Sequence, residues 1–260
     1  MNSGTIDVDV AITPYEVPSD WYDDRVCIVI DVIRASSTIV ALFDQGCSHV
    51  YTAASIEEAK SLAASTGCLL GGERSGVRIP GFDFGNSPSE LKNLNLRGEP
   101  VVLTTTNGTR AVEMSMAARS VLVGCFRNAK ACCRVALRHA FRHKSKIGIV
   151  CAGKEERMAL DDVYCAGYML RTLQDVAHNV LQARFFSDAA QLALKLYEGN
   201  QEDIVSFLTN TASGLILQSL HEEYDISFCG TTNVSNVVPT LTERNPACFC
   251  SAYPDETEEK

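Results

Sequence analysis

The chain has 260 residues, of which 46% are hydrophobic and 21% are charged, and its formal net charge is −9. This composition supplies enough apolar side chains for one large hydrophobic core or two small ones. The negative charge argues against nonspecific binding to nucleic acid or anionic lipid, although local arginines or a bound cation can still attract a small anionic substrate.

The cysteines and the N-terminus bear on where the protein works. The eleven cysteines are scattered along the chain without a Cys-x-x-Cys pair, which is typical of small buried side chains in a reducing compartment. Residues 1–10 show no basic segment followed by an apolar core, and no apolar run approaches the ~20 residues of a membrane span. We therefore expect a cytoplasmic protein that binds neither membranes nor nucleic acid.

Strand and helix patterns alternate through the first 150 residues. Period-two or continuous apolar runs predict the strands, and apolar spacing near 3.6 predicts the helices. The predicted strands cover residues 5–12, 26–33, 68–72, 100–106, 120–125 and 146–153. The predicted helices cover residues 36–45, 55–67, a short segment from residue 87, 107–119 and 129–143. The segment 74–87 is predicted as a loop, 159–221 as helix-rich, and 225–230 and 236–241 as short strands or loops.

This order of elements predicts an α/β fold. We expect a mostly parallel or mixed sheet flanked by helices in three layers (α/β/α), with a helix-rich C-terminal third. A single compact domain over residues 1–260 is the first prediction, and two lobes, about 1–150 and 151–260, are the alternative. The junctions VIDVIRAS, TTTNGTRA and CFRNAKA resemble one another, so an internal duplication is a further hypothesis.

Polar residues follow the predicted strands, where ligands of open α/β sheets bind. If the sheet is parallel, these groups converge on one edge. They include Asp31, Arg34, Glu73, Arg74, Thr104, Thr105, Thr106, Asn107, Gly108, Thr109, Arg127, Asn128, Asp161 and Asp162. The stretch TTTNGT combines hydroxyls, a glycine and a helix start, a pattern that suits anion binding and equally a capped strand end.

The carboxylates among these residues suggest a metal site. Asp31 lies inside an apolar run, where a carboxylate is costly unless it is paired, for instance with Arg34, or bound to a metal. Asp31, Glu73 and Asp162 come without a histidine, which favours a hard cation, Mg²⁺ before Zn²⁺. Arg34 and Arg74 could clamp a phosphate or a sulfonate.

The segment CLLGGERSG offers a different chemistry. Cys68 and Arg74 have the spacing of a cysteine-dependent phosphatase, with a thiolate nucleophile and an arginine clamp. The residues between them read as a strand rather than a phosphate-binding loop. A strand would separate the two side chains by about 20 Å at ~3.3 Å per residue. We interpret the spacing as coincidental and keep cysteine-dependent hydrolysis as an alternative.

Five motifs together resemble the 2-phosphosulfolactate phosphatase family over about residues 26–240. They are IDVIRASSTIVAL, GGERSG, GFDFGNSPSE, TTTNGTRA and AGKEERMALDD, in this order. The resemblance implies an α/β fold and a Mg²⁺-dependent phosphatase. Its reaction would hydrolyse 2-phospho-3-sulfolactate to sulfolactate and phosphate, a step toward coenzyme M. The family usually reads Leu-Glu-Asp where this chain has Leu160, Asp161 and Asp162.

Carried over residue by residue, the resemblance yields a candidate site. The catalytic candidates are Asp31, Arg34, Glu73, Arg74 and Asp162, and chemistry assigns the metal to Asp31, Glu73 and Asp162. The substrate-binding candidates are Asn86, Ser87, Thr104, Thr105, Thr106, Asn107, Gly108, Thr109 and, from its place after a strand, Asn128, with Asp83 beside them in the motif.

The expected partner is a small anionic phosphorylated substrate, and a homodimer is a further hypothesis. We expect water to attack the phosphorus atom. Asp31 is the alternative nucleophile, but Ile33 stands where aspartate-nucleophile phosphatases carry their second aspartate. A binding protein that senses an anionic metabolite without turnover is the alternative outside enzymes.

Overall fold

The structure is a computed structural model that describes residues 4–177, 181–185 and 187–252. Eleven strands form one sheet in the order β5-β4-β6-β3-β11-β10-β7-β2-β8-β1-β9. The strands are β1 (Gly4–Ala11), β2 (Arg25–Ile30), β3 (His49–Thr52), β4 (Leu69–Arg74), β5 (Val77–Arg78), β6 (Pro100–Thr104), β7 (Ser120–Val123), β8 (Lys146–Cys151), β9 (Leu181–Phe185), β10 (Val238–Arg244) and β11 (Ala247–Ala252).

Helices cover both faces of this sheet. They are α1 (Ala35–Asp44), α2 (Ile56–Thr66), α3 (Gly108–Met114), α4 (Ala129–His143), α5 (Leu160–Ala177), α6 (Asp188–Glu198), α7 (Ile204–Thr209), α8 (Ala212–Ser219) and α9 (Glu223–Gly230). Short 3-10 turns lie at Ser19–Tyr22, Glu90–Asn93 and Phe126–Asn128. The expected three-layer α/β/α architecture with a mixed sheet is confirmed.

Strand β2 is buried on both faces, as its continuous apolar sequence predicts. Val26, Ile28 and Ile30 pack into a core cluster with residues of α4, α5 and α6. Cys27 and Val29 pack into the cluster on the opposite face, with residues of α1 and α3. The strand that leads to Asp31 is therefore fixed between two hydrophobic layers.

The sheet contains two parallel segments that run in opposite senses. Neighbours are parallel throughout β9–β1–β8–β2–β7 and throughout β3–β6–β4. The antiparallel hairpin β10–β11 lies between them, and it pairs antiparallel with β7 on one side and with β3 on the other. Three antiparallel steps in succession reverse the chain direction, so pairing alone would put the two sets of carboxyl ends on opposite edges.

The carboxyl ends of the two segments nevertheless meet. Gly108, just after β6, lies so close to Asp31, just after β2, that a Cβ atom on it would stand 2.8 Å from Asp31 Oδ2. Each strand pair adds roughly 20–25° of twist, so the steps across the hairpin turn one segment toward the other. The expected convergence of strand ends is therefore found, although the sheet is not parallel throughout.

Several predicted elements differ from the structure. The segment 225–230, predicted as strand or loop, is helix α9, because its buried positions follow helical rather than alternating spacing. The helix predicted over 107–119 ends at Met114, and β9 interrupts the helix-rich segment 159–221. The short strand β3 was not predicted, and the loop 74–87 contains β5 paired with β4.

The cysteines behave as small apolar residues. All eleven are free, and every one except Cys250 is buried. None of the helices in the described residues combines the length and the apolar character that a membrane crossing requires. The division into one domain or two lobes and the internal duplication stay predictions.

The close contact between α5 and α6 predicts that a larger side chain there destabilises the protein. A Cβ atom on Gly167 would clash with the carbonyl oxygen of Ala193, because the helix backbones touch there. We expect Gly167→Ala to lower the free energy of unfolding by about 1–3 kcal/mol through overpacking. Gly199→Ala, at the end of α6, is the control, since its Cβ would stand 3.3 Å from the nearest atom. Equal urea midpoints for the two variants would contradict the close packing.

Candidate active site

A cavity of about 220 Å³ opens where the strand ends meet. Residues that follow β2, β4, β6 and β8 line it, together with the start of α5 and one side of α8. The lining residues are Asp31, Ile33, Arg34, Glu73, Ser75, Gly76, Asn86, Thr106, Asn107, Gly153, Lys154, Glu155, Ala159, Asp161, Asp162, Ser213, Ile216 and Leu217.

Three buried aspartates contribute to this lining, and backbone and hydroxyl donors hold them. Asp162 accepts hydrogen bonds from the backbone N–H groups of Val32 (2.9 Å) and Gly153 (3.0 Å), so it joins the ends of β2 and β8. Asp31 Oδ1 accepts from the backbone N–H of Ala35 at 3.3 Å, and Asp161 Oδ1 accepts from the Ser213 hydroxyl at 3.1 Å. Each aspartate is at most 8% exposed.

The three aspartates repel one another. Burial is the main cause that raises the pKa of Asp31 to about 7, and the charges of Asp161 and Glu73 act in the same direction. Burial raises the pKa of Asp161 to about 6, although the Ser213 hydrogen bond and the charge of Lys154 act in the opposite direction. Burial followed by the charges of Asp161 and Asp31 raises the pKa of Asp162. The cavity lining thus carries more acidic than basic side chains.

Glu73 organises two loops at the edge of the cavity. Its carboxylate accepts from the backbone N–H groups of Gly76 and Thr106, both at 2.7 Å, and from the Thr106 hydroxyl at 3.2 Å. These bonds tie the turn between β4 and β5 to the segment after β6. Both oxygens of this carboxylate are thus engaged with the chain itself.

Arg34 lies in a buried ion-pair network with α9. Its guanidinium donates to Asp225 Oδ2 at 2.7 Å, to Glu222, and to the carbonyl oxygen of Gly76 at 2.9 Å. Asp225 also accepts from the Ser87 hydroxyl at 2.9 Å and from the Ser89 backbone N–H at 3.2 Å. Helix α9 therefore fixes both Arg34 and the loop that carries Asn86.

The GFDFGNSPSE segment contributes one side chain to the cavity. Asn86 lines the cavity, and its buried Oδ1 atom has no hydrogen-bond partner among the residues that the structure describes. Ser87 instead turns to Asp225, and Asp83 accepts from the backbone N–H of Leu70 at 2.7 Å. A buried polar atom without a partner is costly, so Asn86 is available to a ligand.

The threonine-rich segment divides in two. Thr106 and Asn107 line the cavity, whereas Thr104, Thr105, Gly108 and Thr109 do not. The Thr109 hydroxyl donates to the Thr105 carbonyl oxygen at 2.9 Å, which closes the first turn of α3. Gly108 is required there because a Cβ atom would stand 2.6 Å from the Ala35 Cβ.

Two further candidates serve the backbone. Arg74 donates to the Glu73 carbonyl oxygen at 2.7 Å and to the Thr104 hydroxyl at 2.9 Å, and it is not among the cavity-lining residues. Asn128 is fully buried and bonds the carbonyl oxygens of Val123 and Val237. The structure therefore places neither side chain in the lining of the cavity.

Some polar side chains that shape the site were not among the catalytic, metal-binding or substrate-binding candidates, namely Asp161, Lys154, Ser213, Glu222 and Asp225. Asp161 and Lys154 stand inside the quoted motif AGKEERMALDD, so the signal for them was present in the sequence. The other three lie far along the chain from their partners: Ser213 of α8 approaches Asp161, and Glu222 and Asp225 approach Arg34, which no local pattern encodes. The misassignment of 225–230 removed the remaining clue to Asp225.

The donor set fits a hard cation that keeps part of its water. Carboxylate oxygens dominate the cavity, and neither histidine nor cysteine lines it. Among the described residues, no three acidic, histidine or cysteine side chains come close enough to bind one metal ion together. Mg²⁺ usually binds through one or two carboxylates, with water and substrate oxygens completing its shell.

Comparison with known proteins identifies the family. A sequence model described as "2-phosphosulpholactate phosphatase" matches residues 11–244. The chain belongs to the 2-phosphosulfolactate phosphatase family. Membership makes it a phosphoric monoester hydrolase with a small phosphorylated substrate, and it confirms the resemblance of the five motifs.

Similar proteins share most of their length with this chain. A protein of Deinococcus radiodurans is 37% identical over 86% of this chain and 90% of its own length. A protein of Caldicellulosiruptor saccharolyticus is 35% identical over 82% and 88%. A protein of Clostridium botulinum, strain Eklund 17B, is 31% identical over 89% and 95%. All three carry the name "Probable 2-phosphosulfolactate phosphatase".

The cysteine alternative finds no support in this geometry. Cys68 immediately precedes β4, and Arg74 is the last residue of the same strand, so the strand separates them. The Cys68 thiol lies 2.9 Å from the Thr66 hydroxyl, and neither Cys68 nor Arg74 lines the cavity. The geometry therefore does not bring Cys68 and Arg74 together in one site.

The Arg34 network yields a prediction about α9. Asp225→Asn removes a carboxylate that is 1% exposed and pairs with Arg34, whereas the Glu222 side chain is 32% exposed. We expect D225N to lower the free energy of unfolding by about 2–4 kcal/mol, because it breaks a buried pair. The matched variant E222Q should lose less than about 1 kcal/mol. Urea unfolding measures both, and similar losses would show that Asp225 is not the hub of the network.

Proposed function

We propose that this phosphatase hydrolyses 2-phospho-3-sulfolactate, or a similar small 2-phospho acid, to the 2-hydroxy acid and phosphate, with Mg²⁺ as cofactor. The names of the similar proteins support this substrate. The charge balance of the cavity supports the cation. A cytoplasmic role in coenzyme M biosynthesis belongs to the same proposal, because the resemblance associates the reaction with that pathway.

The observation that carries the proposal is an excess of acidic groups in a site for an anion. The cavity-lining acidic residues are Asp31, Glu73, Glu155, Asp161 and Asp162, and the basic ones are Arg34 and Lys154. Two carboxylates already neutralise Arg34. A substrate with several negative charges would be repelled from this cavity, whereas a bound divalent cation reverses the local field.

The residues that would hold Mg²⁺ are the buried aspartates. Asp31 and Asp162 retain the role predicted from the sequence, and Asp161 is the alternative second ligand, because no three acidic side chains of the described residues come together on one ion. Glu73, the third predicted ligand, stays a prediction; its carboxylate, like that of Asp162, accepts hydrogen bonds from the chain on both oxygens. When bound, Mg²⁺ supplies positive charge to the phosphoryl oxygens and polarises them.

The chain itself orients the substrate and moves a proton. Arg34 and the amide of Asn86 face the phosphoryl group, and Arg34 stabilises the charge that develops on it. The oxygen of a water molecule forms a bond to phosphorus while the bond from phosphorus to the ester oxygen breaks. Asp31 or Asp161, whichever carboxylate does not bind the metal, accepts the proton of this water. The same carboxyl group passes this proton to the leaving alkoxide, which becomes the hydroxyl of the product.

Removal of the metal tests the cofactor. We expect phosphate release from 2-phosphosulfolactate to fall at least ~100-fold in excess EDTA, because the metal supplies several kcal/mol of charge stabilisation. Excess Mg²⁺ should restore the rate. A phosphate assay with and without EDTA measures this.

The same assay distinguishes Mg²⁺-dependent hydrolysis from cysteine-dependent hydrolysis through Cys68. Cysteine-dependent hydrolysis would continue in EDTA and would disappear in Cys68→Ser. Our proposal expects C68S to retain wild-type activity with Mg²⁺, since Cys68 lies before β4 and away from the cavity. Full activity in EDTA would refute the role of Mg²⁺.

The stereochemistry at phosphorus tests the nucleophile. Direct attack by water should invert the configuration of a chiral, isotopically labelled phosphoryl group. Attack by Asp31 followed by hydrolysis of an acyl phosphate would give two inversions and hence retention. Analysis of the configuration of the released phosphate measures this, and retention would replace water with Asp31 as the first nucleophile.

A further inference from the structure

A tight hairpin turn carries Lys154 at the wall of the cavity. The backbone N–H of Lys154 donates to the Arg157 carbonyl oxygen at 2.8 Å, and the Arg157 N–H donates to the Lys154 carbonyl oxygen at 2.9 Å. The two residues between them, Glu155 and Glu156, have φ angles of 50° and 65°. Two-residue turns of this kind usually carry asparagine and glycine, because side chains disfavour positive φ. The chain thus holds an unfavourable turn at this position.

The first half of the turn is attached to the site at two points. The Gly153 backbone N–H donates to Asp162 Oδ2 at 3.0 Å, and the Glu155 backbone N–H donates to Asn107 Oδ1 at 3.3 Å. Gly153 has a φ angle of 70°, and a Cβ atom on it would clash with the carbonyl oxygen of Arg157. The backbone of Lys154 is therefore fixed relative to the aspartates.

Lys154 and Arg34 are the two basic residues of the cavity lining, and they differ in their partners. Arg34, the other lining cation, already binds Glu222, Asp225 and the Gly76 carbonyl oxygen. Within the described residues, the half-buried Lys154 side chain forms neither an ion pair nor a hydrogen bond. Its charge nevertheless acts on Asp161 and opposes the rise of that pKa. Lys154 and Asp161 thus line the same cavity.

We infer that Lys154 binds the sulfonate of a substrate that also carries a phosphoryl group and a carboxylate, and thereby determines specificity. This inference rests on the proposed function, in which the phosphoryl group lies at the aspartates with Mg²⁺. A substrate that bears a sulfonate brings one more negative charge than 2-phospholactate, and the lining offers one cation without a partner. An ammonium group with three rotatable donors suits the three oxygens of a sulfonate.

A comparison of two substrates tests this role. Lys154→Met should lower kcat/KM for 2-phosphosulfolactate about 10- to 100-fold, the loss expected for one charged hydrogen bond. The same variant should lower kcat/KM for 2-phospholactate less than about 3-fold, because that substrate lacks the sulfonate. Lys154→Arg should recover most of the preference, and Lys60→Met, on the exposed side of α2, should leave both rates unchanged.

Each other outcome overturns the inference. An equal loss of kcat/KM for both substrates would assign Lys154 to a group that they share, the phosphoryl group or the carboxylate, or to folding. No loss of kcat/KM for either substrate would leave Lys154 without a role in binding. Calorimetric binding of sulfolactate and of lactate supplies a readout that does not depend on turnover. If the wild type binds sulfolactate more tightly but hydrolyses neither phosphate ester, the proposed function fails while the anion site stands. If K154M keeps the wild-type preference for sulfolactate, the anion site fails while the proposed function stands.

Discussion

The burial of like-charged carboxylates at one point is the constraint on which this structure depends. Asp31, Asp161 and Asp162 lie in one cavity, and burial and mutual repulsion raise their pKa values. Backbone N–H groups of the loops donate hydrogen bonds to these carboxylates, for example those of Val32 and Gly153 to Asp162. The conformation of the site loops thus follows from the need to solvate acidic groups without water.

The sheet makes this concentration of charge feasible. Two parallel segments of opposite sense direct their strand ends at each other, and the C-terminal hairpin β10–β11 fastens them together. Strong local patterns predicted most strands and the helices between them. The reversal was beyond prediction, because it depends on pairing between β3 and β11, elements that lie far apart in the sequence. The twist of the sheet then brings Gly108 close to Asp31 in spite of that reversal.

The sequence predicted the place of the site better than its members. Residues after strands do converge, and Asp31, Arg34, Glu73, Asn86 and Asp162 line the cavity as expected. Position along a strand does not fix the direction of a side chain, however, so the arginine of GGERSG and the asparagine of CFRNAKA bond the backbone instead. The acidic residues that bind Arg34, Glu222 and Asp225, lie 188 and 191 residues further along the chain, beyond the reach of any local pattern.

Charge accounting links the metal and the specificity of the site. In the proposed function, Arg34, whose charge is already paired with two carboxylates, donates hydrogen bonds to the phosphoryl group and so stabilises the charge that develops on it. The aspartates would repel a phosphate ester unless a cation offset their charge. With a divalent cation in place, Lys154 would be the lining cation that distinguishes a substrate with a sulfonate from one without it. Under these proposals catalysis and discrimination depend on separate positive charges, the metal ion and a lysine held by a turn of the chain.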